Sequence, residues 1–174
     1  MMRAIGIGVI WLWWALAAVA QDRPEGLLWV HSDLPRVFPL QVQTDAGRDY
    51  YLELRSTEDE RRVLGAYVRG GAFFRVLTPP GAYRIAIVSG RDWDAQAHVF
   101  KEPGQAIILD EVFRFRAGFA RKNGWLLDLR DTGQGADLHQ IGLCQRLSFE
   151  QVTPEPEDPF AARFQTDVIE RFCG

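Results

Sequence analysis

Asp92-Trp93-Asp94 is the sharpest placement of chemistry in this chain: one indole between two carboxylates. On an exposed turn, such an indole can stack on a sugar ring or receive a cationic group. Trp29, Trp125 or Tyr51 nearby would widen it into a ligand platform. The opposing expectation is that Trp93 plugs one end of a folded sheet pair, as large aromatics commonly do.

The remaining reactive side chains nominate no reaction. His31-Ser32-Asp33 contains the three residue types of a serine-hydrolase relay. Chain neighbours cannot form that relay, whose members converge from separate elements, and no G-x-S-x-G elbow supports it. The segment reads as a turn. The three histidines, His31, His98 and His139, are far apart and lack metal-binding spacing. Asp128 to Asp137 is polar, acidic and turn-rich, so calcium is conceivable there, but Arg130 interrupts it and the calcium-loop pattern is broken. Gly133-x-Gly135 lacks the Lys-Ser/Thr of a phosphate cradle. No pair of carboxylates is singled out for glycosidase chemistry. The sequence therefore predicts no catalytic residue, no metal ligand and no cofactor, and a protein that is not an enzyme.

Cys144 and Cys173 are the two cysteines. A bridge between them would close a loop of about 30 residues, worth roughly 3–4 kcal/mol in the chain-entropy model. It would tie the tail to the body. Free thiols or an intermolecular bridge are the alternatives. Bridging requires an oxidising compartment, and the first twenty residues supply an address for one. Arg3 precedes an apolar run from Ile5 to Ala18, centred on Trp11, Trp13 and Trp14, and Ala18-Val19-Ala20 closes it. These are the parts of a secretory signal peptide. The run, about 14–16 residues, is shorter than the roughly 20 of a spanning helix. The protein is thus expected to be periplasmic or secreted, with membrane contact only if the leader remains uncleaved as an anchor.

Removing residues 1–20 of the 174 leaves 154, the size of one domain with its own core. The net charge of −3 becomes −4 when Arg3 leaves, and no basic cluster exists, which argues against nucleic acid as a partner. Residues 21–150 read as short strands separated by turns. In Tyr50 to Arg55, Tyr50, Leu52 and Leu54 alternate against Tyr51, Glu53 and Arg55. Val37 to Thr44, Val63 to Arg69, Ala72 to Leu77, Tyr83 to Val88, Ala97 to Phe100, Ala106 to Leu109, Val112 to Arg116 and Ile141 to Phe149 are further strands. Gly70-Gly71 and Asn123-Gly124 predict tight hairpins, while Ser89 to Asp92 and Pro103-Gly104 predict breaks. This grammar predicts an all-β antiparallel sandwich.

Residues 151–174 differ. Thr153-Pro154-Glu155-Pro156-Glu157 reads as a stiff acidic linker. Asp158-Pro159 then suits a helix start, and Phe160, Phe164, Val168 and Phe172 recur every four residues. The expectation is a short C-terminal amphipathic helix, docked on the body or offered to a partner.

The segment Phe73-Phe74-Arg75-Val76-Leu77-Thr78-Pro79-Pro80-Gly81-Ala82-Tyr83-Arg84-Ile85-Ala86-Ile87, within residues 62–88, reads as a hairpin of apolar strand, Pro-Gly turn and alternating strand. It resembles transthyretin-like and carboxypeptidase-regulatory-like exported β-sandwich domains. That resemblance implies a roughly seven-stranded sandwich with Greek-key leanings, serving as a binding or structural module. The expected function is a non-enzymatic exported module, bound to an unknown protein or carbohydrate of the envelope. The alternatives are an assembly protein using edge strands or the tail helix, and a small hydrolase with an unrecognised site.

Overall fold

The computed structural model describes residues 24–130, 135–151 and 164–173. Residues 1–20, the acidic linker Thr153 to Glu157 and the Asp158-Pro159-Phe160 start of the expected helix lie outside the described residues. Within them the chain is all-β, built as two sheets. The strands are β1 (Gly26–Val30), β2 (Phe38–Gln43), β3 (Asp49–Ser56), β4 (Arg62–Val68), β5 (Phe74–Thr78), β6 (Gly81–Asp94), β7 (Val99–Phe115), β8 (Ala117–Gly118), β9 (Arg121–Asp128), β10 (Asp137–Gln151) and β11 (Phe164–Cys173). The first sheet runs β1-β4-β3-β6-β7. The second runs β11-β10-β9-β2-β5, with β8 beside β9. Every pairing is antiparallel except β2 with β9.

Alternation builds the main core between the sheets. Leu52, Leu54, Leu64, Ala66, Val68, Ile85 and Ile87 face inward from the first sheet. Phe38, Leu40, Val42, Phe74, Val76 and Leu127 answer them from the second. Tyr83 anchors the crossing from β5 to β6, its hydroxyl donating to the Pro80 carbonyl at 2.7 Å.

Four expectations change here. Phe164 to Cys173 is a strand and not a helix: β11 pairs with β10 along its whole length, from Gly142↔Cys173 to Gln151↔Phe164. A four-residue spacing puts side chains on one face of a strand as well as of a helix, because four is also a multiple of two. Gly70-Gly71 does not close a hairpin, since β4 and β5 belong to different sheets. The same is true of Pro79-Pro80-Gly81, so the segment from Phe73 to Ile87 crosses the sandwich. Asn123-Gly124 lies within β9. The Asn123 amide group ties that strand to the end of β7, accepting from the Arg116 amide and donating to the Arg114 carbonyl, both at 2.6 Å. Gly124 is required where a Cβ would strike the Pro39 carbonyl.

The fourth change matters most for the site. Neither Ser89 to Asp92 nor Pro103-Gly104 ends a strand. β6 and β7 form one long hairpin, paired as far as Trp93↔Phe100 and Asp94↔Val99. A register shift between Val88 and Gly90 bends it.

Candidate functional site

The bend lays the hairpin tip onto the outer face of the first sheet. That face would ordinarily be solvated. Here it carries a second apolar cluster, separate from the core: Tyr51, Tyr67 and Phe100, with Leu28, Trp29, Val88 and Trp93 packed against them. As a result β4 is buried on both faces from Val63 to Val68.

Glycines make the close packing feasible. Trp29 lies across Gly65, where a Cβ would collide with the indole. At Gly90 a Cβ would collide with the Phe100 ring. The tip itself is held by Asp94, whose carboxylate accepts from the Gln96 and Ala97 amides at 2.9 and 3.0 Å. Those two bonds, from Ala97 first, hold its carboxyl below the usual carboxylate range. Lys101 reaches Asp92 across the hairpin at 3.6 Å. Asp92 and His98 adopt left-handed backbone angles, with φ of 52° and 53°.

Trp93 is half-buried, on a strand and not on an open turn. Its ring lies 5.3 Å from Tyr51, 5.1 Å from Tyr67, 5.0 Å from Phe100 and 6.2 Å from a roughly parallel His98. Trp29 belongs to the same cluster, whereas Trp125 packs edge-on against Phe113 beside the main core. The indole N–H groups of Trp29 and Trp93 are buried without a hydrogen-bond partner among the described residues. Each such donor costs about 1–3 kcal/mol, so their place in one cluster asks for an explanation.

Beside the aromatics sits a charged network. Glu53 is only 6% exposed. Its carboxylate accepts from Arg55 Nε and Arg62 Nε, each at 2.7 Å, and from the Tyr51 hydroxyl at 3.1 Å. Arg62 also donates to the Tyr51 hydroxyl at 3.1 Å and lies 4.7 Å over the Trp29 ring. Trp29 in turn stacks on His31 at 4.7 Å. Burial pushes the Tyr51 phenol above its ordinary range, with the Arg62 hydrogen bond working against it. Burial opposes the Arg62 charge, but bonds to Tyr51 and attraction from Glu53 outweigh it, and its pKa rises.

Two concavities meet at Trp93. A groove of about 540 Å³ runs over Val88, Trp93 and Phe100, with Arg55, Arg62 and Glu53 on its lining and Ala97 to Val99 along the tip. A second, of about 510 Å³, lies between Arg48, Asp49, Tyr67, Arg91 and Glu102. Both volumes fall within the range of small-molecule sites.

The other sequence candidates stay apart. Ser32 Oγ accepts from the Leu34 amide at 3.2 Å, as a turn residue does. His139 is exposed on β10. No cluster of three metal-ligating side chains exists among the described residues. Asp128 is gripped by Arg130 through two bonds of 2.9 and 2.6 Å, which hold its pKa at about 2. Residues 131–134 of that loop lie outside the described residues. Cys144 and Cys173 are joined, with Cα atoms 5.9 Å apart. Such a bond is compatible with an oxidising location.

Sequence reasoning named Asp92, Trp93 and Asp94 but missed the Glu53–Arg55–Arg62 network. A signal for it existed: Glu53 stands in the most regular strand of the chain, on Tyr51's side of the alternation. The chain matches no family model, no curated protein and no solved structure. Fold and site together define a class: an all-β, two-sheet protein, bridged by one disulfide and grooved on the outer face of one sheet.

Proposed function

We propose that this protein is an exported, non-enzymatic binding module whose ligand occupies the groove beside Trp93. The observation that carries this reading is the second cluster. A sandwich needs one core between its sheets. This one has a further buried aromatic cluster outside them, with the Trp29 and Trp93 indole donors unpartnered among the described residues, and a buried carboxylate on the lining of the groove beside Trp93. The paired Asp92 and Asp94 support the hairpin tip, which forms one wall. The short apolar leader with its small-residue ending and the Cys144–Cys173 bond support export to an oxidising compartment, and mass spectrometry of the exported protein should find a chain beginning at Gln21.

Tryptophan fluorescence tests the site. A mature chain would carry Trp29, Trp93 and Trp125. A fragment library should contain compounds that shift emission in the native chain and fail to do so in Trp93→Phe. Shifts that persist unchanged in that variant would place the ligand elsewhere.

A further inference from the structure

The groove's charge balance deepens the binding-module reading, and the ligand class it points to rests on that reading. The lining carries one carboxylate, Glu53, and two guanidinium groups, Arg55 and Arg62. Glu53 neutralises one of the two. Both arginine side chains remain about half exposed, at 49% and 48%, while the Glu53 side chain is 7% exposed. The positive charges therefore face the solvent side and the negative charge lies beneath them. Away from the arginines, Glu53 and Tyr51, the lining is mainly apolar, with Val88, Trp93, Ala97, Val99, Phe100 and Pro103, and His98 stands at the tip. A purely cationic ligand would meet two guanidinium groups first, and a neutral polar one would find few partners over that floor.

We infer that the groove takes a small amphipathic carboxylate, free in solution. Its head lies between Arg55 and Arg62, and its apolar body lies along Val88, Trp93 and Phe100. Guanidinium groups suit this role because their planar N–H pairs match a carboxylate. The excess of one positive charge sets the sign of the ligand, and the apolar floor supplies affinity through buried area.

Dodecanoate, dodecanol and dodecyltrimethylammonium, each below its micelle concentration, share one tail and differ in head charge. Calorimetric titration of the full mature chain should show dodecanoate binding about tenfold or more tighter than either of the others. Arg55→Gln leaves Glu53 and Arg62 as a neutral pair and should bring dodecanoate close to dodecanol, with dodecanol unchanged. Val99→Glu provides a second variant at a half-exposed position. It should weaken dodecanoate selectively while leaving the unfolding midpoint in place. Equal affinity for all three heads, or preference for the cation, overturns the anionic ligand while leaving the groove as a binding site. Binding of anionic vesicles without binding of dodecanoate overturns it in favour of a membrane surface. If none binds and Trp93→Phe still leaves fragment shifts unaltered, the groove reading itself fails.

Discussion

The molecule has two appendages to its main core, and they are built differently. The β6–β7 hairpin tip folds back on the first sheet and packs its Trp93 and Phe100 over Tyr51 and Tyr67. The β10–β11 arm extends from the second sheet. Beyond Cys144, β10 no longer pairs with β9, although the Gln145 amide still reaches the Ala120 carbonyl at 2.8 Å. Leu147, Val168 and Phe172 stay 60%, 57% and 48% exposed on this arm. Its ties are the Cys144–Cys173 bond, the Lys122–Glu170 ion pair at 2.9 Å and Arg75 lying 5.4 Å over Phe172. One appendage is held by packing, the other by a covalent bond and polar contacts. The difference teaches where rigidity is invested. A preorganised groove needs walls fixed by packing, and the packed appendage is the one that bears the groove.

The strongest break of this contrast comes from Tyr67→Ala. It empties a fully buried site and removes the 2.6 Å bond to Asp49. The expected cost is about 3–5 kcal/mol, read from denaturant unfolding. A loss under about 1 kcal/mol would mean that the hairpin tip is a loose flap.

Removing the bridge with Cys144→Ser and Cys173→Ser separates the two regions. If the arm unfolded together with the body, the loss would be roughly 3–4 kcal/mol. The differing construction predicts instead that arm amides lose hydrogen-exchange protection while the body's unfolding midpoint moves by about 1 kcal/mol or less. A full cooperative loss would show that arm and body are one unit.

Glu53→Ala leaves two guanidinium groups without their acceptor. A fully buried pair broken this way costs about 3–5 kcal/mol. Because both arginines are half exposed, about 1–3 kcal/mol is expected here. On the arm, Glu170→Ala breaks an exposed pair with Lys122 and should change stability by less than about 1 kcal/mol.

The smallest effect is alkaline. Burial raises the Tyr51 and Tyr83 phenols above their ordinary value of 10.0. A raised folded-state pKa adds stability that is complete below about pH 10 and lost as pH climbs through the folded value. Neither β10 nor β11 contains tyrosine. The loss should therefore appear in the body's unfolding, together with delayed phenolate absorbance at 295 nm, and leave arm protection unchanged until the body melts.

Much of this architecture was legible in the residues. Strict alternation in Tyr50 to Arg55 and Tyr83 to Val88 placed β3 and the first half of β6 on the correct faces. The bridge followed from two cysteines and a leader. What failed were local signals with two physical solutions. A four-residue apolar spacing fits a strand as well as a helix, so the residues of β11 alone do not choose between them. Asn123-Gly124 and Gly70-Gly71 satisfy hairpin chemistry, yet close backbone approach at Pro39 and Arg48 is what those glycines serve. The site was half legible. Asp92-Trp93-Asp94 stands out by composition, but its partners Tyr51 and Tyr67 come from β3 and β4, far earlier in the chain, and the bend at Gly90 brings them together. Glu53 reads as the polar side of an amphipathic strand, because Arg62, which helps to bury it, comes from the neighbouring strand.

The central claim is that the groove beside Trp93 binds the ligand. Amide chemical-shift mapping of the ¹⁵N-labelled chain from Gln21 onward during dodecanoate titration tests it most directly. Saturable shifts should concentrate at residues 51–55, Arg62, Val88 and 93–100, and leave 145–151 and 164–173 unmoved. Shifts confined to the β10–β11 arm, with the groove silent, would contradict the account.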